Sequence, residues 1–154
     1  QVLGGANPVA GPYFYFTIPE PTGVVAILAP DEPALDGLVA RLVPAVVGGN
    51  AVVAVASETH PLAAIELAEA VATSDLPGGV VNVLTGNTGE LAPVLAAHMD
   101  VNAIDITGAD GLRAELERAA AENVKRVVRS DGERSPWEIA KFLELKTVWH
   151  PIGT

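Results

Sequence analysis

Residues 20–30 read Glu20-Pro21-Thr22-Gly23-Val24-Val25-Ala26-Ile27-Leu28-Ala29-Pro30. The apolar run within them is bounded by Pro and Gly, is too short for a long helix and is rich in β-branched residues. It reads as a buried strand over 23–29. Outward from it the same grammar repeats. Helical apolar spacing covers 33–47, with an interior Pro44 that should kink or end the helix. Gly48-Gly49-Asn50 then closes it.

A second strand follows at 51–56. A helix comes next, capped by Ser57 or Thr59, with Pro61 early in it, running to about residue 72. The turn Asp75-Leu76-Pro77-Gly78-Gly79 leads to a strand at 80–84, then a helix over about 89–98 and a strand at 102–106. A helix over about 110–123 places Leu112, Leu116 and Ala119 on one side, and a fifth strand spans 124–129. Strands and helices alternating at these lengths predict an α/β fold. Its centre is a parallel sheet of about five strands with right-handed crossovers and helices on both faces.

The flanks differ. Tyr13-Phe14-Tyr15-Phe16 sits in a strong strand signal over 13–18, and aromatic residues on both faces predict a strand covered on both sides. Residues 130–136 read as a linker and 137–142 as a short helical turn. Alternation over 143–150 predicts a half-exposed edge strand ended by Pro151.

Composition bounds the function. In 154 residues, 49% are apolar and 18% charged, enough for a real core and too apolar for a disordered segment. Nine basic residues against 19 acidic ones give a net charge of −10, a field that repels phosphate backbones and argues against nucleic-acid partners. The chain contains no cysteine, which excludes disulfides, thiolate metal sites and a thiol nucleophile within these residues. That composition agrees with a cytoplasmic location. No apolar run is long enough to span a membrane, and residues 1–5 do not read as a signal peptide. A first residue other than Met implies that translation starts upstream.

Several stretches taken together resemble the aldehyde dehydrogenase superfamily over roughly residues 12–136 and 142–152. They are Glu20-Pro21-Thr22-Gly23-Val24-Val25, Gly49-Asn50-Ala51-Val52-Val53, Pro77-Gly78-Gly79-Val80-Val81-Asn82-Val83, His98-Met99-Asp100, Thr107-Gly108 and Leu145-Lys146-Thr147-Val148. The resemblance implies a Rossmann-like dinucleotide-binding domain over 20–129. It implies a β oligomerisation arm from 1–19 and 142–154, with Tyr13, Phe14, Tyr15, Phe16, Leu145, Val148 and Trp149 at an interface. It also implies a linker, 130–141, where the family inserts its catalytic domain.

The departures from the family pattern carry the functional reading. Glu32 stands where the family places its oxyanion asparagine, which puts negative charge where negative charge would develop. Ser130 stands for the general-base Glu. Glu58 keeps the ribose carboxylate, but Val55 replaces its lysine partner. Ala109 replaces the hydroxyl at the pyrophosphate, and Arg113 a later glycine. By resemblance the cofactor positions are Pro30, Glu58, Gly86, Thr107, Gly108 and Leu112, with NAD(P) binding expected to be weak or lost. Read by position alone, Glu58 is a solvated cap sooner than a ligand, Gly86-Asn87-Thr88-Gly89 a plain strand-to-helix turn sooner than an adenine contact, and Asp31, Glu32 and Asp36 a solvated loop sooner than a metal site. His60, His98 and His150 lack the spacing for metal or triad chemistry, and no metal site is expected.

The resulting expectation is a non-catalytic subunit that assembles with a full-length aldehyde dehydrogenase or with itself, the mixed assembly being favoured. It resembles the degenerate second copies found in a two-part branch of the family. The alternative is part of an active NAD(P)-dependent enzyme whose cysteine-bearing domain lies outside these residues. A nucleotide sensor that binds NAD without reacting is a third reading.

Overall fold

The computed structural model describes residues 4–152, so residues 1–3 and 153–154 of the expected arm, and the first residues weighed as a signal peptide, lie outside the described residues. Two sheets organise the rest. The larger is parallel: β3 (Val24–Leu28), β4 (Ala51–Val55), β5 (Val81–Leu84), β6 (Ala103–Asp105) and β7 (Arg126–Val128), in the order β5-β4-β3-β6-β7. The smaller is antiparallel, β1 (Gly5–Asn7), β2 (Tyr13–Pro21) and β8 (Leu143–Pro151), in the order β1-β2-β8.

The strand at 23–29 is central because both of its faces are apolar. Val25 and Ile27 pack with α1 (Ala34–Val47) and α2 (Pro61–Ala72) through Leu38, Leu42, Ala45 and Ala64. Ala26 and Leu28 pack on the other side with α3 (Thr88–Ala97) and α4 (Arg113–Ala121) through Ala92, Ala96, Leu116 and Ala120. Ile27 and Leu28 are fully buried, each stabilising the fold by about 1.5–3 kcal/mol. A strand buried on both faces must read as a continuous apolar run rather than an alternating one.

Asn50 and Phe142 join the two sheets. The buried Asn50 side chain accepts from Gly23 N (2.9 Å) and donates to Ala45 O (2.9 Å) and Phe142 O (3.0 Å). Thr22 N donates to the same Phe142 carbonyl at 3.2 Å. Arg126 reaches across from β7, donating to Lys141 O (3.1 Å), Leu143 O (2.7 Å) and Glu144 Oε1 (2.7 Å).

Several local expectations are corrected. Pro44 does not end α1, which runs on to Val47. Its ring removes a single N–H, and the buried contacts of Leu42 and Ala45 hold the turns on either side. The N-cap of α2 is His60, with no side-chain cap of its own; Ser57 Oγ instead accepts from His60 N at 3.0 Å. The helix expected from 110 begins as a 3-10 turn over Thr107–Leu112 with a non-helical Ala109, and turns α-helical only at Arg113. The fifth strand is confined to Arg126–Val128, because Val124 adopts a positive φ of 57°. The last helix, α5, spans Pro136–Ala140 and starts one residue early, with Ser135 Oγ accepting from Trp137 N.

The aromatic strand β2 is not covered on both sides. Tyr15 is buried, packed edge-on against Trp149 at 4.3 Å between centroids, whereas Phe14 remains 48% exposed. β8 does not alternate either, being exposed from Leu145 to Pro151 on both faces. Only its first residues touch the body of the chain.

Candidate active-site crevice

The order β5-β4-β3-β6-β7 reverses direction at β3, with β4 on one side and β6 on the other. In open α/β sheets that switch point opens a crevice beyond the carboxyl ends of the strands. The strand exits there bring together Pro30, Asp31 and Glu32 from β3, Ser57 and Glu58 from β4, Thr107 and Gly108 from β6, and Ser130 from β7.

Gly108 fixes the width of the crevice. A Cβ at this position would stand 2.3 Å from the Ala29 carbonyl oxygen and 2.4 Å from that of Leu28. The β6 exit therefore lies directly on the β3 exit, an approach that only glycine permits. Thr107 is turned inward: its N and Oγ1 both donate to Asp105 Oδ1, at 2.9 and 2.5 Å, and its Oγ1 accepts from Ser130 N at 3.0 Å. Leu112 packs partly buried against the Ile104 and Leu116 cluster. Ala109 is buried.

Asp31 organises the β4 exit. Its Oδ1 accepts from Ser57 Oγ (2.7 Å), Thr59 Oγ1 (3.2 Å) and Thr59 N (3.2 Å). The bonds from Ser57 and Thr59 hold its carboxyl below the ordinary range. Asp31 itself is exposed, in keeping with a solvated loop, but its carboxylate is held by the chain rather than free. Glu32 faces solvent and pairs with His60 Nε2 at 3.0 Å.

Glu58 is engaged by the β5 exit. Its Oε1 accepts a short bond from Thr88 N, and Asn87 Nδ2 lies 3.4 Å from its Oε2. Asn87 Oδ1 in turn accepts from Glu90 N at 3.1 Å. The positive end of α3 is thus already met by a carboxylate from the same chain. Gly86 forms the turn just ahead of it, against Leu91.

Beneath the crevice lies a buried polar network that the sequence reading missed. Arg41 and Asp105, 8% and 0% exposed, stand 4.0 Å apart between Nε and Oδ2. Arg41 donates to Gly37 O (2.7 Å) and Ser130 O (3.1 Å). Burial pushes the Asp105 carboxyl up, against the opposing pull of the Thr107 hydrogen bonds and the Arg41 charge. Ser130 Oγ donates to the buried Glu138 Oε2 at 2.6 Å, and Lys141 Nζ lies 2.6 Å from Glu138 Oε1. For Glu138 burial pushes up, yet the bonds from Lys141 and Ser130 outweigh it and the carboxyl ends below its ordinary value. The available signals were an acid inside the apolar run Ile104-Asp105-Ile106 and an arginine on the apolar side of α1.

A groove of about 910 Å³ opens beside the crevice between α1 and residues 131–139, with Pro30, Glu32, Val43, Thr107 and Asp131 on its walls. No cluster of His, Cys, Asp or Glu among the described residues could hold a metal ion. No helix among them is long and apolar enough to cross a membrane.

A dinucleotide needs donors or cations for its diphosphate. The strand exits offer Asp31, Glu32, Glu58 and Asp110 instead, and the nearby Arg129 is taken up by Asp110 at 3.1 Å. The residues present do not fit a diphosphate.

Comparison with known proteins supplies the lineage. A profile described as the aldehyde dehydrogenase family matches residues 3–152. The cytosolic aldehyde dehydrogenase 1 of Elephantulus edwardii is 31% identical over 137 residues, covering 88% of this chain and 27% of that protein. Human aldehyde dehydrogenase 1A1 gives the same identity and the same coverage. Among solved structures, a betaine aldehyde dehydrogenase from Staphylococcus aureus in complex with NAD+ superposes with a TM-score of 0.76 at 26% identity, over 80% of this chain and 25% of that one. Aldehyde dehydrogenase C from Pseudomonas syringae superposes with a TM-score of 0.72 at 37% identity, over 79% and 25%. The chain thus spans about a quarter of the length of the relatives it matches. It belongs to the aldehyde dehydrogenase family.

Proposed function

We propose that this chain is a non-catalytic aldehyde dehydrogenase-type subunit that serves assembly, joining another chain of the same family through the sheet β1-β2-β8. That chain is either an active full-length enzyme or a second copy. The supporting observation is Ser130. It occupies the position that the resemblance gives to the general base, and its hydroxyl is locked 2.6 Å from Glu138 on α5, which leads straight into β8.

Thiohemiacetal chemistry needs a nucleophile, a base and oxyanion donors. These 154 residues contain no cysteine, and Glu32 and Ser130 replace the other two groups. NAD(P) binding is weak or lost in this reading, because the carboxylates at the strand exits repel a diphosphate. A cytoplasmic location accords with a cysteine-free chain.

Two measurements test the reading. The purified chain, given NAD+ and a panel of aldehydes, is expected to form no NADH; turnover at an ordinary dehydrogenase rate would overturn it. Native mass spectrometry of the untagged chain, alone and with a full-length aldehyde dehydrogenase, is expected to show a complex. A monomer under both conditions refutes the assembly role.

A further inference from the structure

We propose that the outer edge of β8 is a self-pairing surface. A second copy of this chain adds its own β8 antiparallel, with Thr147 facing Thr147 across a two-fold axis. The proposal rests on the assembly reading above and names the second copy as the partner.

The hydrogen-bond parity of β8 comes first. Ile152 N donates to Pro12 O (2.8 Å) and Thr22 N to Phe142 O (3.2 Å). Both pairs extend the β2–β8 register, in which Phe14 faces His150 and Glu20 faces Glu144. In an antiparallel ladder, hydrogen-bonded pairs recur at every second residue. The even-numbered residues of β8 therefore exchange bonds with β2. Leu145, Thr147 and Trp149 aim their N–H and C=O groups outward, and among the described residues no strand pairs with them.

Among the described residues the opposite margin of the sheet offers less than this one. There β1 is three residues long and pairs with β2 from Tyr15 to Thr17. Beyond that point the outward positions of β2 are Pro19 and Pro21, which have no N–H to offer. Proline, short strands and charge are the usual means of blocking an exposed edge. β8 carries a proline only at its end, Pro151, and its one lysine, Lys146, is paired with Glu20.

A two-fold axis at Thr147 is the register that uses the whole strand, since Thr147 is the midpoint of Leu143–Pro151. It sets Leu145 against the partner's Trp149, on the face where Trp149 already meets Tyr15 and Tyr13. Those side chains, 54% and 68% exposed, would then cover one another. On the other face Glu144 meets the partner's His150. Thr147 Oγ1 already lies 3.1 Å from Thr17 Oγ1, so its symmetry mate extends an existing polar row. All the outward-facing residues fall opposite outward-facing residues.

The absence of cysteine makes the register directly testable. Hydrogen-bonded pairs stand about 5.5 Å apart at Cα, within disulfide reach. Under mild oxidation the single variant Thr147→Cys should cross-link to a covalent dimer. Leu145→Cys and Trp149→Cys should each stay uncross-linked alone and should cross-link when mixed. Efficient self-cross-linking at 145 or 149, or none at 147, overturns the proposal.

Thr147→Pro removes the outward N–H together with the hydroxyl that meets Thr17 Oγ1, and Thr147→Val, which removes the hydroxyl alone, is its control. Against that control the melting curve should hold while the dimer weakens by roughly tenfold or more, the equivalent of one hydrogen-bond energy per copy. An unweakened dimer overturns the proposal. A chain that stays monomeric alone yet binds a full-length aldehyde dehydrogenase overturns self-pairing and leaves the assembly reading standing. A monomer in both settings overturns both.

Discussion

Arg41 Nε and Asp105 Oδ2 face each other across 4.0 Å, both buried, and neither atom has a hydrogen-bond partner among the described residues. Each charge is held from its other side, Arg41 by the Gly37 and Ser130 carbonyls and Asp105 by Thr107. The pair ties α1 to the exit of β6 at the floor of the crevice.

Removing one partner leaves an uncompensated buried charge. Arg41→Met is expected to cost about 3–5 kcal/mol in urea denaturation. The double variant Arg41→Met, Asp105→Leu should recover most of that loss. A double variant as unstable as the single one would show that packing, not charge, is what Arg41 supplies.

The titration behaviour divides by sign. Asp31 and Glu138 have folded carboxyl pKa values below their unfolded ones, so the stability they contribute is present above the ordinary carboxylate range and is lost as pH falls through the folded values. Asp105 is raised, so its contribution is present below the ordinary range and is lost as pH rises through its folded value. Glu138→Gln should flatten the acid limb of a stability-versus-pH curve, and Asp105→Asn should flatten the opposing rise in instability toward neutrality. Chemical denaturation from acid to neutral pH, variant by variant, reads both slopes.

Gly108→Ala puts a Cβ into the backbone of Ala29, which cannot yield as a flexible side chain would. The expected cost is about 3 kcal/mol, the upper part of the usual overpacking range. Gly78→Ala is the matched control, since a Cβ there meets nothing within 4 Å. Equal melting temperatures for the two variants would contradict the close approach of β6 to β3.

Asn50→Ala removes three hydrogen bonds at once and leaves Gly23 N without its acceptor, while the Phe142 and Ala45 carbonyls keep the backbone amides of Thr22 and residue 50. A loss of about 2–3 kcal/mol is expected. Amide exchange should accelerate at Thr22 and Gly23, where the two sheets meet. Faster exchange confined to α1 would instead limit Asn50 to capping that helix.

The parallel sheet was legible because the run 23–29 and its successors carry a local period that nothing distant can imitate. The helix over 33–47 and its closing Gly48 were legible, and of the two outcomes expected of Pro44 only an early end is excluded, because Leu42 and Ala45 hold the turns on both sides of it. Asp31 is exposed, as a solvated loop requires, and only its bonds to Ser57 and Thr59 were not legible, because those partners come from the next βα unit. The buried network was hidden for the same reason: Arg41, Asp105 and Glu138 lie on three separate elements, and only their burial distinguishes them from ordinary charges. The aromatic run of β2 was read correctly as a strand, but the chain covers one of its faces only in part. Local pattern reports on elements; contact between elements leaves little trace in it.

Pro19 and Pro21 also set a limit on growth. A sheet that can be extended from both margins recruits copy after copy and runs on as a filament. Among the described residues that margin offers a three-residue strand and two imino acids, so β8 is the one long docking line, and in the proposed dimer the first encounter consumes it. Replacing both with donors would be a route from a discrete particle to a fibre.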